Sequence, residues 1–127
     1  MALITRAAAQ FLVADLAVSL AWYARLGFGK RIAFGEFYAS VERGGAELHL
    51  KCAPPAVEER ERRQRELHVD VLFEVDDAGA LAAEAEAAGI ELARPLMLEE
   101  WGGRSVYLHD PDGYVLCFFE PEAESRM

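Results

Sequence analysis

The sequence predicts an α+β fold made of two tandem βαβββ units, and three observations predict it. The halves repeat: Val13-Ala14-Asp15 aligns with Val75-Asp76-Asp77 at an offset of 62, and Gly27-Phe28 aligns with Gly89-Ile90 at the same offset. Each half carries one helical stripe set between an Asp and a Gly, followed by about three short runs of strand length. The chain also closes on a hairpin signal, Asp110-Pro111-Asp112-Gly113, flanked by two apolar runs. Proline fixes φ at the first corner of that turn, Asp bonds its own backbone, and Gly accepts positive φ.

The elements follow in order. Ala7–Val13, apolar apart from Gln10, reads as a first strand. Asp15 reads as a helix N-cap, because its short carboxylate satisfies free backbone N–H groups. Leu16, Leu20, Tyr23 and Leu26 form the helical stripe, and Gly27 ends it. Strands are expected over Phe28–Phe34, Phe37–Val41 and Ala46–Cys52, with Gly44-Gly45 as the turn before the last. Pro54-Pro55 closes the first module, about residues 7–53. The mixed-sign run Glu58–Glu66 reads as a solvated linker or a short exposed helix within a segment of about 54–66. The second module, about 67–120, starts with a strand over His68–Val75. A helix follows, capped by Asp76-Asp77, buried through Leu81, Ala82, Ala85 and Ala88, and ended by Gly89. Ile90–Ala93, Arg104–His109 and Tyr114–Phe119 complete it as strands, with Pro95–Gly103 as a loop. Residues 121–127 read as a disordered tail. The whole chain is expected to act as one domain.

Composition narrows the function. The 127 residues are 53% hydrophobic and 28% charged, ordinary values for a domain with a real core. A formal net charge of −9 disfavours nucleic acid, whose phosphates need a basic footprint. It suits a cationic small molecule. Two cysteines, Cys52 and Cys117, make no disulfide framework. No signal peptide and no apolar run of membrane-spanning length is seen. A cytoplasmic protein with no membrane partner is expected.

The string Trp101-Gly-Gly-Arg104, a strand, Asp110-Pro-Asp-Gly-Tyr114 and a closing apolar strand resembles the end of proteins in the glyoxalase, bleomycin-resistance and ring-cleaving dioxygenase (vicinal oxygen chelate) superfamily. The resemblance extends through Phe11-Leu-Val-Ala-Asp15, Trp22-Tyr23, Leu26-Gly27-Phe28 and Gly45-Ala-Glu-Leu-His-Leu50. It implies that the two modules curl their sheets around a shared cleft, commonly in a homodimer.

The metal enzymes of that superfamily place four ligands on cleft-facing strands. The resemblance carries these positions onto Ala8, Glu47, Asp70 and Cys117. Alanine coordinates nothing, and a soft thiolate beside two hard carboxylates is a poor set for one octahedral ion. The expected cofactor is therefore none. An alternative enzyme reading, a metal-dependent lyase or dioxygenase, needs a rearranged set. Strand alternation puts His49 on the face of Glu47 and His68 on the face of Asp70.

Without a metal, the resemblance points to the branch that sequesters antibiotics by binding them. Such a site wants aromatic faces and carboxylates. The candidate ligand-binding residues are Glu47, Asp70, Trp101, Phe34, Phe37, Tyr38, His49, Tyr107, Arg104 and Cys117, with Tyr114 as a further aromatic near the cleft strands. Strand aromatics such as Phe34 and Phe37 commonly pack in a core, whereas Trp101 in a loop has no automatic core role. Trp22 and Tyr23 read as helix residues packed on the sheet. Glu47 and Asp70 sit in apolar strands, and burying either unpaired would cost several kcal/mol. Each therefore needs an opposite charge, water or a ligand, and Arg104 is a candidate partner. Cys117 and Cys52 read as small apolar residues, and His109 as exposed beside its turn. No catalytic residue is assigned.

Overall fold

In the computed structural model, residues 1–53 and 56–123 are described. They form two four-stranded sheets and three helices. The chain divides into two compact units, Met1–Ala56 and Val57–Met127.

The first unit runs β1 (Ala9–Val13), α1 (Leu16–Arg25), β2 (Gly29–Phe34), β3 (Tyr38–Arg43) and β4 (Ala46–Cys52). Its sheet has the order β1-β4-β3-β2, with β1 parallel to β4 and the remaining pairs antiparallel. The second unit opens with α2 (Val57–Arg65) and then repeats the pattern as β5 (Val71–Glu74), α3 (Ala78–Ala87), β6 (Leu92–Leu98), β7 (Arg104–His109) and β8 (Val115–Glu120), in the order β5-β8-β7-β6.

The repeat is local chemistry carried out twice. Asp15 accepts the Val18 N–H at 3.2 Å, and Asp77 accepts that of Ala80 at 2.9 Å. Each carboxylate fills one of the donors a helix start leaves open. Gly27 and Gly89 then take φ of +84° and +77°, a region that only glycine enters without strain.

Strand alternation decides which side chains meet the helix. In the first unit Ala39, Val41, Leu48 and Leu50 are buried on the face toward α1, with Val13, Tyr23 and Leu26. Leu48 and Leu50 lose all solvent contact, worth about 2 kcal/mol each in hydrophobic transfer. Trp22 and Tyr23 pack as expected, edge-on to each other, and Tyr23 is edge-on to Phe28. In the second unit Val106, Leu108, Leu116 and Phe118 form the equivalent layer with Leu81 and Ala85, and Phe73 stacks on Phe118 at 4.9 Å.

The closing turn is built as its residues require. Asp110 Oδ1 accepts the N–H groups of Asp112 and Tyr114, both at 2.9 Å, and Gly113 takes φ +87°. Gly103 is equally constrained. A Cβ there would lie 2.5 Å from the carbonyl oxygen of Glu120, and φ is +84°.

Several expectations are corrected. The first strand begins at Ala9, and the His68–Val75 strand shrinks to Val71–Glu74. The strand expected over Ile90–Ala93 is Leu92–Leu98 instead, running through Pro95, which the sequence placed in a loop. Its register against β7 shifts between Leu92 and Met97, so a strand bordering the sheet accommodates a proline that cannot donate. The charged segment takes the second of its two expected forms, a short helix over Val57–Arg65, and is in addition tied to the closing turn. Arg63 Nε and Nη2 donate to the Asp112 carbonyl at 3.4 and 3.3 Å, and Arg60 Nη2 lies 3.3 Å from Asp112 Oδ1. Pro54-Pro55 lie outside the described residues, as do residues 124–127 of the expected tail; Pro121, at its start, is buried.

Candidate functional site

Each sheet turns one face to its helix and leaves the other helix-free. The helix-free face of the first sheet carries Gln10, Tyr38, Ser40, Glu42, Glu47, His49 and Lys51, which cross-strand register sets side by side: Gln10 beside His49, Ser40 opposite His49, Glu42 opposite Glu47.

Glu47 is the hub. Its side chain is only 8% exposed, yet Oε1 accepts from Arg6 Nη1 at 3.0 Å and from Arg31 Nη1 at 2.9 Å, and Oε2 lies 3.3 Å from His49 Nε2. Burial opposes its ionisation. The His49 hydrogen bond and the two guanidiniums outweigh that, and hold the carboxyl below the usual carboxylate range. The other ring nitrogen of His49, Nδ1, is 2.6 Å from Tyr38 Oη, which also accepts from Gln10 Nε2 at 3.1 Å. The structure thus brings Glu47, His49 and Tyr38 together. Phe34 is edge-on to Tyr38 at 6.3 Å, and Phe34 and Phe37 are 58% and 61% exposed rather than core residues.

On the helix-free face of the second sheet, the Arg94 guanidinium lies 3.9 Å from the Tyr107 ring centre. It donates to Glu99 and, at 2.7 Å, to Ser105 Oγ, which itself donates to Glu99. Burial again opposes ionisation of Glu99, and Ser105 and Arg94 overcome it, so its carboxyl also sits below the ordinary range. Burial raises the Tyr107 phenol. It pushes the Cys117 thiol up to about 11 in a cluster with Tyr107 and Val115. Trp101 stands in the β6–β7 loop, 69% exposed, with its ring 6.3 Å from Phe119.

The remaining candidates have other tasks. Asp70 exchanges hydrogen bonds with Val115: its N–H reaches the Val115 carbonyl at 2.9 Å and its Oδ2 accepts the Val115 N–H at 2.8 Å. Arg104, a candidate partner for Glu47 or Asp70, binds Glu120 at 2.6 Å and Asp77 at 3.5 Å. His68 is exposed, 3.6 Å from Glu66. His109, expected to be exposed, is half-buried and 3.1 Å from the Gly113 carbonyl. Among the described residues no group of three or more His, Cys, Asp and Glu side chains gathers as a metal site.

The superfamily's metal does not fit these positions. Ala8 has no donor, Glu47 is bound by Arg6, Arg31 and His49, Asp70 is bound to the backbone of Val115, and Cys117 is a buried, protonated thiol.

Sequence reasoning missed Arg6, Arg31, Gln10, Arg94, Glu99 and Ser105, since pairing across strands depends on register. It also missed a signal that was legible. Residues 1–56 carry six Lys/Arg and four Asp/Glu, whereas residues 57–127 carry seven and eighteen. The acidity belongs to the second unit.

Comparison with known proteins agrees with this architecture. The pattern of the Glyoxalase/Bleomycin resistance protein/Dioxygenase superfamily matches residues 5–118. Among solved structures, a bleomycin resistance determinant encoded on the transposon Tn5 superposes with a TM-score of 0.78 at 22% identity, covering 94% of this chain and 99% of that one. A bleomycin-binding protein complexed with bleomycin gives 0.77 at 23% identity, over 94% and 100%. A glyoxalase/bleomycin resistance protein from Catenulispora acidiphila gives 0.69 at 26% identity, over 91% and 97%. No curated protein matches the sequence.

Proposed function

The chain belongs to the glyoxalase/bleomycin resistance protein/dioxygenase superfamily, and from that premise we propose that it is a metal-free binder of a small molecule bearing aromatic and cationic groups, of the antibiotic-sequestering type. The observation that carries the reading is the fate of the four superfamily ligand positions. One lacks a donor, two are engaged by other groups of the protein and the fourth is a buried thiol, while Phe34, Phe37 and Trp101 present exposed aromatic surface. Aromatic rings offer stacking faces, and the acidic surplus favours a cation. The resemblance to bleomycin-binding structures supports the same class of ligand. The reading includes a homodimer in the cytoplasm. Two free cysteines agree with a reducing compartment, and no helix of the described residues is long and apolar enough to cross a membrane.

The test is a fluorescence titration of a Trp22→Phe variant, in which Trp101 is the sole tryptophan, with bleomycin and with smaller aromatic cations. Saturable quenching that survives exhaustive chelation is expected. Near-stoichiometric metal in the purified protein, with binding lost on its removal, would overturn the reading in favour of the metal-dependent alternative.

A further inference from the structure

The chain contains no asparagine and a single Asp-Gly step, Asp112-Gly113, in the closing turn. Such a step is the aspartyl bond most open to self-attack, because glycine puts no side chain in the way of ring closure. In that reaction the peptide nitrogen of Gly113 attacks Cγ of Asp112. One N–C bond forms, one C–O bond breaks, and the carboxyl O–H leaves with the amide hydrogen as water. A second water reopens the five-membered ring. Opening at the original peptide carbonyl leaves the chain running through the side-chain carbon, as isoaspartate. One water is lost and one regained, and no electrons are transferred.

Every group that this reaction needs is held by a neighbour. The Gly113 N–H donates to the Asp110 carbonyl at 2.9 Å, which commits the attacking nitrogen to the turn. The Asp112 carboxyl is only 4% exposed, with Arg60 Nη2 3.3 Å from its Oδ1. The carbonyl of the same peptide bond accepts from Arg63 Nε and Nη2 at 3.4 and 3.3 Å. Ring closure requires this peptide plane to rotate against the Asp112 side chain, yet Asp110 pins the plane at its N–H and Arg63 at its C=O. Two of the three clamps come from α2. Arg63 is itself braced by Glu59, one helical turn earlier, at 2.9 Å.

We propose that α2 guards the Asp112-Gly113 step: Arg60 and Arg63 keep this turn from isomerising, and release of the helix makes Asp112 a site of isoaspartate formation. The guard is independent of any ligand the protein binds. Isomerisation then proceeds only through the locally opened turn, at a rate set by the fraction of time it is open. The product matters to the fold. It adds one carbon to the backbone between β7 and β8, inside a turn whose N–H groups at Asp112 and Tyr114 both converge on Asp110 Oδ1.

The full chain is aged at physiological temperature and neutral pH, and isoaspartate at residue 112 is followed by mass spectrometry of its peptides. The parent protein is compared with the same chain unfolded in guanidinium chloride, with an Arg60→Ala/Arg63→Ala variant, and with Asp15→Ala, which weakens a helix cap in the other unit. Thermal melts establish that each variant is folded. The expected result is slow isomerisation in the native parent, fast isomerisation in denaturant, a rate in the double variant about tenfold above the native parent, and no acceleration in Asp15→Ala. Arg60→Ala alone, which keeps the Arg63 contacts, carries the test if the double variant does not fold, and an intermediate rate is expected of it. A native parent that isomerises as fast as the unfolded chain overturns the proposal. So does a folded arginine variant no faster than the parent, or an Asp15→Ala protein accelerated as much as the arginine variant, since opening would then be global.

Discussion

The guanidinium of Arg63 lies 4.1 Å from the centre of the Tyr114 ring, within the cation–π range, while two of its nitrogens donate to the Asp112 carbonyl. One residue of a highly charged helix thereby anchors that helix to the closing hairpin turn. A run that looks solvated in composition is held through two of its arginines, Arg60 and Arg63.

Removing that anchor is expected to release α2. Arg63→Ala should cost about 2 kcal/mol, from the lost ring contact and the lost charge-assisted bonds. Amide hydrogen exchange over residues 57–65 should accelerate while that of β7 and β8 stays slow. Arg63→Lys should recover little, since an ammonium cannot stack flat on the ring and fork to one carbonyl. Unchanged exchange in Arg63→Ala would show that α2 is held by something else.

Glu99 is expected to be the acid-sensitive point of the second sheet. Its side chain is 7% exposed and accepts from Arg94 and Ser105. Glu99→Gln keeps the shape and removes the charge, and should cost about 2 kcal/mol at neutral pH. Because the folded carboxyl sits below its ordinary range, the unfolded chain takes up the proton first as pH falls. The contribution is full above the usual glutamate range and is lost as pH drops through the lower folded value. Urea melts of the two proteins should therefore converge in acid. A gap that stays constant with pH would mean that ionisation of Glu99 contributes nothing.

The two thiols should differ sharply in reactivity. Thiolate is the reactive form, and burial places Cys117 at about 11, so almost none is ionised near neutrality. Cys52 is partly exposed, with Sγ 3.8 Å from the Ala14 carbonyl. A disulfide-exchange reagent at pH 8 should label Cys52 first and reach Cys117 only on unfolding. Fast labelling of both in the native state would contradict the packing around Tyr107 and Val115.

The fold was legible because its punctuation is local. Asp15, Gly27, Asp77 and Gly89 act within a few residues of themselves, so their spacing reveals both helices and the repeat. The Asp110–Gly113 turn is legible for the same reason. Strand β6 was not, because a proline inside a short apolar run signals a loop and only the register slip explains how it stays in the sheet. The candidate site was half legible. Alternation correctly placed Glu47 and His49 on one face. That Glu47 draws Arg6 and Arg31, that Asp70 serves the backbone of Val115, and that Arg94 meets Glu99 all depend on contacts between residues distant in sequence or across an irregular strand.

The broken register of β6 has a counterpart in the first unit, where β2 shifts against β3 between Lys30 and Ile32. Each of β2 and β6 lies at one edge of its sheet. An uninterrupted row of free N–H and C=O groups is a template for another chain, and a bulge, a proline or a charged side chain spoils the template. Here β2 combines its slip with Lys30 and Arg31, and β6 combines its own with Pro95. Both borders are thereby blunted against the strand-on-strand stacking that seeds amyloid, in a chain more than half of whose residues are apolar.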